Sequence, residues 1–161
     1  MIFVTVGTQG PFDRMVRAID DWAARNRRKD VFAQIGRDAR RPTAIDWVEQ
    51  LDAVEFKRRV QEAEVVIAHA GMGTVLTALE LGKPVLIMPR RASLGEHRND
   101  HQLSTVRKLA ALGLATVAQD ECELDGWLQE LDQVRVGKRD RSQELDKLIQ
   151  KLRAFLTSGA S

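Results

Sequence analysis

Residues 65–102 read VVIAHAGMGTVLTALELGKPVLIMPRRASLGEHRNDHQ, and the organisation of the chain can be worked out from them. Val65-Val66-Ile67-Ala68 is short, β-branched and free of polar side chains, the composition of a strand buried on both faces. It runs into His69-Ala70-Gly71-Met72-Gly73-Thr74. Val75 to Leu81 predicts a helix closed by Gly82, with Pro84 just beyond. Val85 to Met88 is a second apolar strand, followed by a polar loop dense in Arg, Glu, His and Asp. Strand, glycine turn, helix, strand, polar loop is the layout of a site for a phosphate-bearing ligand in an α/β sheet. Glycine lets backbone N–H groups approach an anion, and a helix N-terminus adds partial positive charge.

Outward from this stretch the alternation continues. Met1 to Val6 is a first apolar strand ending at Gly7. Phe12, Met15, Val16, Ile19, Trp22 and Ala23 recur at helical spacing over Phe12–Asn26. Val31–Ile35 is a second strand, Ile45–Val48 a short third, and Val54–Ala63 a helix leading into the central strand. Beyond it come a helix over Leu103–Leu112 stopped by Gly113, a strand at Ala115–Val117, and a short helix over Glu123–Leu131. Strands alternating with helices predict a Rossmann-like, doubly wound parallel sheet. Residues 1–157 are expected to form one domain, with 158–161 a frayed tail. Over 139–156, Leu145, Leu148, Ile149, Leu152, Phe155 and Leu156 form one apolar stripe, which covers either the domain's own sheet or a partner.

The chain has 161 residues, 30% of them charged, and a formal net charge of +2. Such balanced charge does not indicate a nucleic-acid binder. The single cysteine, Cys122, has no internal disulfide partner and no metal-ligand spacing around it. No segment has the form of a signal peptide or the length of a membrane span, so a soluble cytoplasmic protein is expected. Trp22, Trp47 and Trp127 read as core or interface anchors.

The paired motifs VVIAHAGMGT and DHQ, with MIFVTVGTQGPFD at the amino terminus, resemble the glycosyltransferase family 28 C-terminal domain. That domain is the nucleotide-sugar-binding half of GT-B enzymes. The similarity is closest to its small free-standing members: the catalytic subunit of the eukaryotic two-part UDP-GlcNAc transferase and the PssE-type subunits of bacterial exopolysaccharide assembly. It covers Met1 to about Val117. The resemblance implies a donor-binding subunit of a split glycosyltransferase, a hexosyltransferase using a UDP-sugar and no further cofactor or metal. A GT-B active site lies between two Rossmann-like domains, and this length has room for one. A membrane-anchored, Rossmann-like partner carrying a lipid-linked sugar acceptor is therefore expected, holding the chain at the inner face of the membrane.

The same resemblance implies roles for individual residues. His69 contacts the donor near its anomeric carbon or phosphate and is the internal candidate for the catalytic base; a purely turn-capping histidine is the alternative. Gly71, Met72, Gly73 and Thr74 cradle the diphosphate, or cap the helix alone. Many relatives carry a glutamate eight residues after the histidine, where it holds the ribose hydroxyls. Here Thr77 stands there, leaving that task to Thr77 or to Glu80. Asp100-His101-Gln102 corresponds to the triplet that contacts donor sugar hydroxyls, although Asp100 also suits a helix N-cap. Arg90 is a candidate partner for phosphate, and Glu96 belongs to the same loop. Gly7 and Thr8, in the first strand–helix turn with Gln9, could touch donor phosphate or the acceptor's lipid phosphate.

No carboxylate pair of glycosidase type is evident. The expected reaction is an inverting transfer in which a base deprotonates an acceptor hydroxyl, with the partner the favoured source of that base. A non-catalytic subunit that activates a membrane-anchored glycosyltransferase is the alternative reading, kept open by Thr77.

Overall fold

The computed structural model describes residues 1–137, together with 146–147, 149–151 and 154. Strands β1 (Ile2–Thr5), β2 (Val31–Gln34), β3 (Asp46–Val48), β4 (Val65–His69), β5 (Val85–Met88) and β6 (Thr116–Val117) alternate with helices α1 (Asp13–Asn26), α2 (Ala53–Glu62), α3 (Met72–Glu80), α4 (His101–Ala111) and α5 (Glu121–Gln129). The strands form one sheet in the order β3-β2-β1-β4-β5-β6. Every pairing is parallel; β1 lies against β4 with Ile2 opposite Val65 and Thr5 opposite Ala68. This is the strand order of a Rossmann-like, doubly wound α/β fold.

Strand side chains alternate between two cores. On one face Ile2, Val4, Ala33, Ile67 and Leu86 pack under α1 and α5, whose Met15, Ile19, Trp22, Leu124 and Leu128 point inward. On the other, Phe3, Val66, Val85 and Ile87 meet Val60 of α2, Val75 and Leu79 of α3, and Val106 and Leu109 of α4. Trp22 is buried in the first core, with Trp47 and Trp127 packed partly buried at its edge. Helix α1 keeps its apolar stripe inward, and Asp20 on the same helix reaches across to the chain entering β3. Its carboxylate accepts from the backbone N–H groups of Thr43 (2.9 Å), Ala44 (2.8 Å) and Ile45 (3.2 Å).

Several boundaries differ from the sequence reading, each for a local reason. Helix α3 begins at Met72, three residues earlier than expected, because Gly71 serves as an N-cap without a side chain. It stops as expected: Gly82 takes φ +65°, and the Lys83 N–H bonds back to the Ala78 carbonyl at 2.8 Å. Helix α5 begins at Glu121 because Asp120 accepts from the Glu123 N–H at 2.9 Å, while Glu123 accepts from the Gln119 N–H one residue before the cap, a variant of the capping box. The stripe expected over 139–156 falls for the most part outside the described residues, Leu145, Leu148, Leu152, Phe155 and Leu156 among them. No helix among the described residues is long and apolar enough to cross a membrane.

Candidate functional site

The chain winds from β1 outward to β3, then returns to β4 and winds the other way to β6, so the direction reverses between β1 and β4. At such a switch point the connections leave in opposite directions and open a crevice at the carboxyl ends of the strands. Here the crevice has a volume of about 650 Å³, a size that suits a small-molecule ligand. Its walls come from the turn after β1 (Gly7, Thr8, Gln9), the start of α3 (Gly71 to Thr74, and Thr77), the start of α2 (Leu51, Asp52, Ala53, Phe56), and His97 with Gln102.

His69 closes β4 at the floor of this crevice, with its imidazole between two glycines. A methyl group added to Gly7 or to Gly71 would collide with the ring. Gly71 has an ordinary extended backbone (φ −87°), so only the ring requires glycine there. Gly7 is doubly constrained, since its φ of +74° is itself costly for a residue with a Cβ. Burial first, then the positive charge of Arg90 and a smaller contribution from His97, together push the imidazole pKa from 6.5 down to about 4. The Thr5 carbonyl acts in the opposite direction, and the buried Nδ1 has no hydrogen-bond partner. His69 is therefore a neutral imidazole near pH 7.

The first turn is locked by buried polar groups. The Thr5 hydroxyl donates to Gln34 Oε1 at 2.6 Å and accepts from the Gly7 N–H at 3.2 Å, while Gln34 Nε2 donates to the Gly7 carbonyl at 3.1 Å. Across the crevice, the N-cap Gly71 makes no side-chain cap bond. The N–H groups of Met72, Gly73 and Thr74 thus start α3 without intrahelical acceptors. A Cβ on Gly73 would meet open space, so this glycine is not required by protein packing. The Thr77 hydroxyl donates to the Gly73 carbonyl at 2.9 Å, leaving its oxygen as an acceptor on the crevice wall.

The polar loop is arranged differently from the sequence reading. Of Asp100-His101-Gln102, only Gln102 lines the crevice; Asp100 and His101 are exposed, and Asp100 accepts from the Ala92 N–H at 3.0 Å. Asp100 precedes α4 but makes no side-chain cap bond. Gln102 is buried, and its Oε1 accepts from the Arg90 N–H at 2.9 Å. That bond identifies the oxygen, and the Nε2 hydrogens remain as donors. Arg90 does not face the crevice: its guanidinium is 1% exposed and donates to backbone carbonyls. Glu96 is likewise taken up, pairing with Arg14 at 2.6 Å and accepting from the Arg91 N–H at 2.8 Å. Glu80 is exposed near the far end of α3, away from the crevice walls.

Sequence reasoning missed Gln34, Leu51, Asp52, Phe56 and His97 as wall residues. Gln34 had a visible signal, a glutamine closing an apolar strand. Asp52 had one as well, since it caps α2 by accepting from the Glu55 N–H at 2.8 Å. His97 had none, because its Nε2 meets Gln9 Oε1 (3.1 Å) across 88 residues of sequence.

Known proteins share this architecture. The human UDP-N-acetylglucosamine transferase subunit ALG13 is 30% identical over 118 residues, which are 67% of this chain and 10% of that protein. The chain thus spans about a tenth of the length of this relative. An NMR structure of ALG13 superposes with a TM-score of 0.62 at 16% identity, over 92% of this chain and 94% of the other. Rice (O. sativa) Os79 in complex with UDP gives 0.62 at 13% identity, covering 94% of this chain and 34% of Os79. Acinetobacter baumannii MurG gives 0.57 at 20% identity, covering 92% and 49%. At these identities the structures speak to the fold. The family itself is shown by sequence, through a match over residues 1–154: the chain belongs to the glycosyltransferase family 28 C-terminal domain.

Proposed function

We propose that this chain is the donor-binding half of a UDP-sugar-dependent glycosyltransferase, and that it transfers a hexose to a lipid-linked acceptor held by a membrane-anchored partner. Bacterial exopolysaccharide or capsule assembly at the inner membrane face is the setting that the sequence resemblance favours. The observation that carries the reading is the crevice at the switch point, lined at once by the uncapped start of α3 at Met72 to Thr74, by Gln102 with its Nε2 donors, and by a neutral His69. An uncapped helix start suits a diphosphate. Carboxamide hydrogens and the Thr77 oxygen suit hydroxyl groups.

His69 serves this reaction better as a contact than as a base. A group whose pKa lies near 4 binds a proton too weakly to deprotonate an alcohol efficiently near pH 7. The base is accordingly assigned to the acceptor-binding partner, and the transfer to an inverting, single-displacement course. A UDP titration followed by backbone amide NMR tests the donor site: shifts should concentrate at Met72 to Thr74 and Gln102, and shifts confined to other regions would remove it. Transfer assays with and without the partner test the division of labour. Binding of UDP without partner-dependent transfer would instead favour a non-catalytic activating subunit.

A further inference from the structure

Arg90 is the largest side chain among those fully buried in the described residues, and the donor-site reading leaves it without a task. Its Nη1 donates to the Pro11 carbonyl at 2.6 Å and, more distantly, to that of Glu96 at 3.4 Å. Its Nη2 donates to the carbonyls of Val6 and Gly10, both at 2.8 Å. The guanidinium lies 4.9 Å from the centre of the Phe12 ring, and its backbone N–H is held by Gln102. One residue at the end of β5 thus holds the turn after β1 and the loop before α4 with its side chain, and Gln102 with its backbone N–H.

Its charge is also unusually placed. Among the described residues no carboxylate forms an ion pair with Arg90. Glu96 acts on it through space, but that carboxylate is already neutralised by Arg14. Removing a cation from water without a counter-anion is costly, and carbonyl dipoles offset only part of the cost. The charge therefore persists as a positive field close behind the crevice, in a setting where screening is weak.

Resting on the donor-site reading above, we propose that Arg90 is a positioning residue. Its forked contacts to the Val6 and Gly10 carbonyls fix the two ends of the Gly7–Gln9 turn, and its uncompensated charge reaches the crevice, where it favours a diphosphate. Of the residues that bear on His69, Arg90 and His97 supply charge and Thr5 supplies a carbonyl. Arg90 is the one among them whose side chain bonds the backbone on both sides of the Gly7–Gln9 turn, at Val6 and Gly10.

The test compares Arg90→Lys and Arg90→Met with the wild-type chain by amide NMR, by a ¹³C titration of the His69 ring, and by UDP affinity. Arg90→Lys keeps the charge but loses the fork. Its amide shifts should move at Val6, at Gly10 and across the Gly7 to Gln9 turn between them, UDP affinity should fall about tenfold, and the His69 midpoint should stay low. Arg90→Met, where it folds, should in addition raise the His69 midpoint. A folded Arg90→Lys with wild-type shifts around Gly7 and wild-type UDP affinity would overturn the positioning role; a folded Arg90→Met with an unmoved His69 midpoint would overturn the role of the charge. If Arg90→Met does not fold, Arg90→Lys alone decides the first point, and its His69 midpoint decides the second: a rise despite the retained charge would overturn it. Failure of the wild-type chain to bind UDP would count against the donor site, while the NMR readouts would still judge Arg90.

Discussion

Replacing His69 with glutamine should flatten the response of the fold to mild acid. The folded chain holds the imidazole pKa near 4, against 6.5 for an unburied histidine. In the unfolded chain the group regains its ordinary value, so between these limits the unfolded state binds the extra proton. The sign follows: the contribution is fully present above about pH 6.5 and is lost as pH falls through about 4. At about 1.4 kcal/mol for each tenfold difference in proton affinity, the whole interval corresponds to about 3 kcal/mol, of which about 2 kcal/mol disappears between pH 7 and pH 5. Carboxylates held low by arginine, such as Glu55 at about 2, release their contribution at more acid pH and leave this window to the histidine. Urea unfolding at pH 7, 6 and 5 would give the wild-type chain a steep loss and the His69→Gln chain a shallow one. Parallel losses in the two proteins would refute the claim that the crevice floor holds a desolvated imidazole.

Other outcomes follow from the same geometry. Gly71→Ala should displace the imidazole, because the added methyl has nowhere else to go, and weaken UDP binding more than tenfold, measurable by calorimetry. Gln102→Glu keeps the acceptor for the Arg90 N–H and removes the two donors, so it should reduce affinity for a UDP-sugar more than for UDP; equal losses would refute the sugar contact. Gln102→Ala, by contrast, should also destabilise the fold by about 1–3 kcal/mol, since it strands a buried N–H. Asp20→Ala should cost a similar 1–3 kcal/mol and speed hydrogen exchange at Thr43 to Ile45, with Asp20→Asn recovering part of both.

How much of this was legible in the sequence depended on the range of the interactions. The two central strands and their turns were legible because a doubly buried parallel strand needs an unbroken apolar run, and VVIA and VLIM supply it. The glycine at 82 was legible because it meets a local backbone need, a left-handed residue just past the end of α3. The polar loop was not. Arg90 and Glu96 look like solvent-facing charges in their neighbourhood, yet their partners lie 79–84 and 82 residues away in sequence. A buried cation held by distant backbone carbonyls leaves no trace in periodicity or charge pattern. Asp100 misled in the opposite way: it precedes a helix as an N-cap should, but its carboxylate turns back to the Ala92 N–H. Helix starts were read late wherever the cap was a glycine or part of a capping box rather than a change in hydrophobic period.

The imidazole lodged between Gly7 and Gly71 makes positions 7, 69 and 71 behave as one heritable unit. Alanine at position 71 is harmful only while the ring is present, because the backbone there would accept it. In a chain already carrying His69→Ala the same change should be nearly silent, so the two substitutions are strongly epistatic. Position 7 has no such escape, since its backbone sign still demands glycine after the ring is gone. A lineage that lost the ring at 69 would therefore be free to drift at 71 as well. Gly7 would remain behind as the fossil of the site.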